Sequence, residues 1–189
     1  MKACVALPIP NSVGNVLGRA ASIVNERLGG GCIIPTAKGM PLHVTLRSPV
    51  KSTTSAVHCT RDLLQDLPSS EMRITGFSSF PVQGVVFAKV ALCPFWSTML
   101  DTRLEESPLG LGQHDLGRTA HVTIIKGLQT THEVDEAIST IDYWAGRAVI
   151  GKVLPVDRLV IYIKKEGARL WEAKQRIDLG DVRTVVSPA

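Results

Sequence analysis

His43-Val44-Thr45-Leu46 recurs later in the chain as His121-Val122-Thr123-Ile124. Both tetrads alternate polar and apolar residues with the period of two that is typical of a β-strand. Successive side chains of a strand point to opposite faces of the sheet, so the histidine and the threonine of each tetrad share one face. The two apolar residues take the other face, which can be buried. Two such strands lying side by side therefore present two imidazoles and two hydroxyls to one cleft.

The presence of two copies makes a chance origin of the tetrad improbable. A His-apolar-Thr-apolar tetrad arises by chance on the order of 0.1 times in a chain of this composition, and two copies arise in fewer than about 1 in 100 such chains. The ordinary alternative for either histidine alone is a half-buried strand residue that is hydrogen-bonded to a neighbour. The pair favours a functional interpretation of His43 and His121, with Thr45 and Thr123 beside them.

The two motifs resemble those of the 2H phosphoesterase superfamily, which is named for two His-x-Thr/Ser motifs. The similarity is greatest to its bacterial RNA 2′,3′-cyclic phosphodiesterase and 2′-5′ RNA ligase group, and it covers most of the chain. The resemblance implies a bilobal α+β fold, in which two pseudo-symmetric antiparallel sheets form a central cleft and the helices lie outside. It also implies a substrate with a 2′,3′-cyclic phosphate or a 2′-5′ linkage.

Strand-like and helix-like segments alternate along the chain, and no linker divides them. We therefore expect residues 1–189 to form a single domain with two lobes, each carrying one motif. Strands are predicted at both motifs and at 2–7, 72–80, 84–92, 158–164 and 170–179, and helices at 11–28, 52–67, 94–106 and 130–145.

Composition limits the class of protein. The chain has 189 residues, of which 44% are hydrophobic, so it can bury a sizeable core. Its formal net charge of +4 suits an anionic substrate but does not establish nucleic-acid binding. The four cysteines are widely spaced, which predicts a reduced, cytoplasmic chain without a zinc site. No stretch approaches the length of a membrane span, and we expect a monomer that needs no cofactor and no obligate protein partner.

Two basic residues are candidate phosphate ligands. In a regular strand Arg47 shares the face of His43 and Thr45, where a guanidinium can hold a phosphate oxygen; the alternative is a solvated arginine at a strand end. Lys126 is offset by one residue from the site face, so it needs a bulge or a strand end to reach a phosphate. The resemblance supports Lys126, because the superfamily often carries a basic residue at this offset.

Several other residues are weaker candidates. His114 and Arg118 precede the second motif and are candidates for the rim of the cleft. Tyr162 and Trp171 are candidates for stacking on a base, although packing in the core or on the surface is the commoner role of such residues. His132 is not a third catalytic histidine, because Thr130 to Glu133 fits a capping box that places it in the first turn of a helix.

The functional groups predict a metal-free phosphodiester site. Imidazoles titrate near neutrality, so one neutral histidine can take a proton from water while the other, protonated, gives one to the leaving ribose oxygen. The hydroxyls can hold the non-bridging oxygens. Two nearly identical motifs do not reveal which histidine is the acid.

Two other functions stay open at this stage. One is a non-catalytic protein that binds RNA ends or nucleotides in the same cleft. The other is a metallohydrolase, which is disfavoured because no carboxylate or further histidine lies at ligand spacing near either motif.

Overall fold

The computed structural model of the protein describes residues 1–38, 40–110 and 119–180. Strands and helices alternate, as the sequence predicts. The strands are β1 (Lys2–Pro8), β2 (His43–Lys51), β3 (Ser70–Phe80), β4 (Val85–Leu92), β5 (His121–Lys126), β6 (Val153–Val156), β7 (Arg158–Lys164) and β8 (Glu172–Asp178). The helices are α1 (Asn11–Arg27), α2 (Thr54–Leu64), α3 (Pro94–Glu106), α4 (Thr131–Ile141) and α5 (Arg147–Val149).

Two elements differ from the sequence-based expectation. The sequence does not predict strand β6 because it contains Pro155, which cannot donate to a strand ladder. It lies at the edge of the sheet, where a proline is tolerated. The predicted helix 130–145 is α4 followed by a π-helical turn, Asp142–Gly146. Its capping box is confirmed, with the Thr130 hydroxyl accepting from the Glu133 amide.

All eight strands belong to one antiparallel sheet with the order β6-β3-β4-β5-β2-β1-β7-β8. The two expected sheets are thus two four-stranded halves of one sheet. They join where Val44 of β2 pairs with Val122 of β5. Each half places its motif strand innermost, so the two motifs meet at the centre. The α+β fold class is confirmed.

The helices pack on one side of the sheet, which we call the helical face. Its core contains β1 residues such as Val5 and Leu7, together with the apolar faces of the helices, for example Leu17 of α1, Leu64 of α2, Trp96 of α3 and Ile141 of α4. Burying each of these large side chains contributes roughly 1.5–3 kcal/mol. This burial fixes which side of every strand faces inward.

The other side of the sheet, the open face, carries a smaller apolar cluster. Cys4 and Ala6 of β1 lie there with Val160 and Tyr162 of β7, Met40 and the partly buried Trp171. Because side chains alternate along β1, Cys4 and Ala6 point away from Val5 and Leu7. Among the described residues, no helix is long and apolar enough to cross a membrane.

The turn between β3 and β4 depends on a glycine. Gly84 has φ +58°, and a Cβ at this position would overlap the backbone carbonyl oxygen of Leu128. The Leu128 amide in turn donates to the Gly84 carbonyl at 3.2 Å. This close approach ties the hairpin to the segment that follows β5.

We predict that Gly84→Ala destabilises the protein much more than Gly151→Ala. Gly151 also has a positive φ, +78°, but nothing lies within 4 Å of a Cβ there, so its substitution reports the conformational cost alone. That cost is about 1–2 kcal/mol. Urea denaturation of both variants measures the difference, and equal losses would contradict the close approach of Gly84 to Leu128.

Candidate active site

The pairing of β2 with β5 brings the two motifs together on the open face. Val44 is directly opposite Val122, so in an antiparallel register His43 lies beside Thr123, and Thr45 lies beside His121. The diagonal neighbours His43 and His121 are then separated by about 7–8 Å between Cα atoms. The four motif side chains therefore form one patch of the sheet, which we call the motif patch.

Both histidine rings are held in the same way. His43 Nδ1 lies 2.7 Å from the carbonyl oxygen of Pro41, and His121 Nδ1 lies 2.8 Å from that of Thr119. A carbonyl oxygen only accepts, so Nδ1 is the donor in each ring. Each neutral ring therefore leaves Nε2 as the nitrogen that is free to accept a proton. In both motifs the carbonyl belongs to the residue two positions before the histidine.

The environments of the two rings differ. Burial lowers the pKa of His43, and the positive charges of Lys126 and His121 lower it further, against the opposing effect of the Pro41 carbonyl. Tyr162 lies beside this ring, with centroids 6.1 Å apart. The neutral form of His43 is thus favoured over the imidazolium.

His121 is set among aromatic rings. Its centroid lies 5.4 Å from that of Phe80, edge to face, and 4.9 Å from that of Phe87. Phe87 is directly opposite Thr123 across β4 and β5. Neither phenylalanine is among the residues that the sequence predicts for the site. The available signal was the alternation of β4, which places Phe87 on the face opposite the buried Val86 and Ala88.

A β-bulge brings Lys126 onto the open face. Thr123 pairs with Phe87 but Ile125 pairs with Val86, so Ile124 is an extra residue in β5. Ile124 and Ile125 both join the core of the helical face, and Lys126 is returned to the side of Thr123. Hydrogen bonds of 2.7 and 2.9 Å with the backbone of Ile33 hold this strand end. The bulge that the sequence required for Lys126 is present.

The same irregularity in β2 turns Arg47 away. Ala6 pairs with Thr45 but Val5 pairs with Arg47, so Leu46 is the extra residue. Arg47 therefore lies on the helical face with Val5, where it is 6% exposed. Its Nε donates to the Leu109 carbonyl at 2.9 Å. The expectation that Arg47 shares the face of His43 and Thr45 is corrected by this bulge.

A cavity of ≈ 220 Å³ lies beside the first motif. Its polar wall is formed by His43, Thr45 and Lys126, and Trp171 lies on its border. The remaining lining residues are largely apolar: Cys4, Ile33, Pro35, Met40 and Pro49. Tyr162 packs beside the His43 ring. Because only 3% of Tyr162 is exposed, it is not available to stack on a base. His114 and Arg118 lie outside the described residues.

Several solved structures are similar to this protein over nearly the whole chain. A Thermus thermophilus protein is 17% identical, with 96% of this chain and 100% of that chain covered and a TM-score of 0.63. Escherichia coli LigT complexed with 3′-AMP is 12% identical, with 95% and 98% covered and a TM-score of 0.59. Kluyveromyces marxianus Usb1 is 13% identical, with 94% and 98% covered and a TM-score of 0.54.

The fold is that of the 2H phosphoesterases. This confirms the fold implied by the paired motifs. No protein-family model matches the chain, and no curated protein matches it. The sequence identities are low, so the likeness lies in the path of the backbone.

Potential metal ligands are scattered across this 2H phosphoesterase fold. Within residues 1–38, 40–110 and 119–180, no three His, Cys, Asp or Glu side chains cluster in a way that could hold an ion. His58 lies on the helical side in α2, with Nδ1 3.4 Å from the Gln175 amide nitrogen. The described titratable groups of the motif patch and its border include two imidazoles, the Lys126 ammonium, the buried Cys4 thiol and the Tyr162 phenol beside His43.

We predict that Lys126→Gln raises the pKa of His43. Removing the ammonium removes a positive charge that disfavours the imidazolium, whereas burial of the ring remains. An NMR titration of the histidine ring resonances measures the shift. Lys152→Gln, an exposed lysine before β6, is the matched control and should leave the titration unchanged. An unchanged His43 pKa in Lys126→Gln would mean that the ammonium is not near the ring in solution.

Proposed function

We propose that this protein is a metal-independent phosphodiesterase that hydrolyses 2′,3′-cyclic phosphate or 2′-5′ linked nucleotides or RNA ends. The observation that carries the proposal is the meeting of two histidines, each with Nδ1 engaged by a backbone carbonyl, on adjacent central strands. Such a pair offers two Nε2 atoms to one substrate. The proposal treats residues 1–189 as one domain with two pseudo-symmetric lobes that contribute one histidine each.

The different environments of His43 and His121 suggest which histidine is the general base and which is the general acid. His43 is the general base, since burial and the adjacent positive charges favour its neutral form. It takes a proton from the attacking water while His121, as imidazolium, gives a proton to the departing ribose oxygen. In-line displacement requires the two groups on opposite sides of the phosphorus, and the diagonal arrangement of the histidines is compatible with this requirement.

Stabilisation of the developing charge falls to neighbouring donors. Thr45 and Thr123 offer hydroxyls, and Lys126 offers an ammonium on the same face as His43. All three can hold non-bridging oxygens in the transition state. Arg47, which the sequence suggested for this role, is left out because its guanidinium points to the helical face and donates to backbone carbonyls.

Nucleotide binding by a protein with this fold supports the substrate class. The LigT structures include complexes with 3′-AMP, NADP⁺ and ATP. For this chain, the formal net charge of +4 and the Lys126 ammonium beside the motif patch favour the same class of ligand. The group that the motifs resemble also includes 2′-5′ RNA ligases, whose reaction can use the same groups with a ribose 5′-hydroxyl in place of water as the nucleophile on the cyclic phosphate. The cytoplasmic setting is part of the proposal, and all four cysteines are free thiols.

A protein that binds RNA ends without turnover is the second candidate. It retains the same cleft, so only an assay separates the two. Incubation of the purified protein with cyclic nucleotides, cyclic-phosphate RNA and 2′-5′ oligonucleotides tests both. Product formation supports the enzyme, and saturable binding of intact ligand without product supports the binder.

We predict that His43→Ala and His121→Ala each lower kcat about 100-fold or more, because each removes one proton-transfer group. Thr45→Ala and Thr123→Ala should cost less, since each removes one neutral donor while others remain. The double histidine variant should be little worse than the worse single one, as the two residues act as a unit. His132→Ala, an exposed histidine in the first turn of α4, is the control. A loss of only a few-fold in either folded histidine variant would refute the mechanism.

We further predict that activity survives dialysis against a chelator and has a bell-shaped pH dependence near neutrality. The two histidines are needed in opposite protonation states, so activity falls at both extremes. Lys126→Gln should move the acidic limb to higher pH, because it raises the pKa of the base His43. Loss of activity on chelation that added Zn²⁺ or Mn²⁺ restores would favour the metallohydrolase instead.

A further inference from the structure

Three lysines stand side by side across neighbouring strands, away from the motif patch. Lys2 of β1 is directly opposite Lys51 of β2 on one side and Lys164 of β7 on the other. Directly opposite residues of an antiparallel sheet share a face, so the three ammonium groups form one row. We call Lys51, Lys2 and Lys164 the lysine row. It borders a cavity of ≈ 650 Å³, larger than the one beside His43.

The lysine row lies on the same face as the motifs. Side chains alternate along β1, which places Lys2 with Cys4 and Ala6 on the open face. Ala6 is opposite Thr45, and Cys4 lines the cavity of the first motif. Lys2 and Pro8, the residue opposite His43, are separated by six positions of β1, or about 20 Å. The motif patch and the row thus lie at opposite ends of one face of β1, with the buried Cys4 and Ala6 between them.

The three lysines of the row carry more positive charge than the acidic residues of the cavity wall can neutralise. Lys165 also lines the cavity, but its ammonium lies 3.6 Å from the Glu172 carboxylate. Glu166 is the acidic residue of the cavity wall. Among the described residues, none forms an ion pair with the three members of the row. Like charges directly opposite one another destabilise a sheet, so the row is poorly explained by folding alone.

We propose that the lysine row binds the phosphate backbone of a single-stranded oligonucleotide whose end occupies the motif patch. This rests on the proposed function and narrows its substrate class to chains of several nucleotides, because one nucleotide does not span about 20 Å. A positively charged groove beside an aromatic side chain is the usual arrangement for binding single strands. Trp171, on the border of the motif cavity and against the apolar cluster of the open face, supplies the aromatic surface.

The test compares long and short substrates in a triple variant, Lys2→Gln, Lys51→Gln and Lys164→Gln. We expect kcat/KM to fall about 10-fold or more for a cyclic-phosphate-ended RNA of about eight nucleotides, a length that single-strand grooves accommodate, through a higher KM. Turnover of a 2′,3′-cyclic mononucleotide should be retained within about 2-fold, since the row is remote from the motif patch. Equal losses on the two substrates would overturn the proposal, as would no loss on the RNA.

Salt dependence gives a second readout. Each lost phosphate contact with a single strand lowers the slope of log affinity against log salt by about 0.7, so losing three contacts lowers it by about 2. The control is a triple variant with the same change in charge at exposed residues elsewhere, Arg103→Gln, Arg147→Gln and Lys152→Gln. It should keep the wild-type slope. If the control loses RNA affinity to the same extent, net charge and not the row is responsible, and the proposal is wrong.

Stability and binding measurements complete the test. Removing opposed like charges should leave the melting temperature unchanged or higher, which separates lost binding from misfolding. Fluorescence anisotropy measures the affinity of the wild type and the row variant for an uncleavable eight-nucleotide RNA. This measurement tests the row even if the wild type hydrolyses no cyclic phosphate, so failure of the proposed activity and failure of the proposed RNA binding can be told apart. If the row variant keeps its affinity for this RNA and loses affinity for vesicles containing phosphatidylserine, the row is a lipid-binding surface and the proposal is overturned.

Discussion

The pairing of β2 with β5 at Val44 and Val122 is the interaction on which the candidate site depends. It is the point where the two halves of the sheet meet, and it makes strands that are distant in sequence into neighbours. Both valines are fully buried against the helices. Alternation then directs the histidine and threonine on each side of them to the open face. The same apolar burial that stabilises the centre of the sheet therefore positions the polar groups.

Matched bulges in the motif strands give the two halves different chemistry. Each bulge places the residue after the tetrad, Arg47 or Ile125, on the helical face beside the fourth tetrad residue, Leu46 or Ile124. In β5 this returns Lys126 to the open face, whereas in β2 it sends Arg47 into the core, where a backbone carbonyl accepts from it. A buried guanidinium is tolerated because its donors are satisfied. The ammonium of Lys126 thus acts on His43 from the opposite half of the sheet.

The motif patch and the lysine row lie at opposite ends of β1 on the open face. An apolar cluster separates the motif patch from the lysine row; it consists of Cys4, Ala6, Val160 and Tyr162. The cluster, the motif patch and the lysine row all lie on the open face of the sheet. β1 pairs without irregularity with β7, and both strands contribute residues to this cluster. That regular register keeps Lys2 opposite Lys164, so the strand pairing explains why these positions are neighbours but not why all of them are lysine.

The sequence by itself determined every strand except β6, the main helices and the two copies of the tetrad, because alternation and repetition are local patterns. It also indicated that Lys126 needs a bulge. Tertiary structure decided the rest: bulges reverse the faces that a regular strand predicts, which is why Arg47 was misplaced. The aromatic setting of His121 and the row of Lys2, Lys51 and Lys164 arise from pairing between segments far apart in the chain. No local pattern encodes that register, since it is set by how the two halves of the sheet bury their common core.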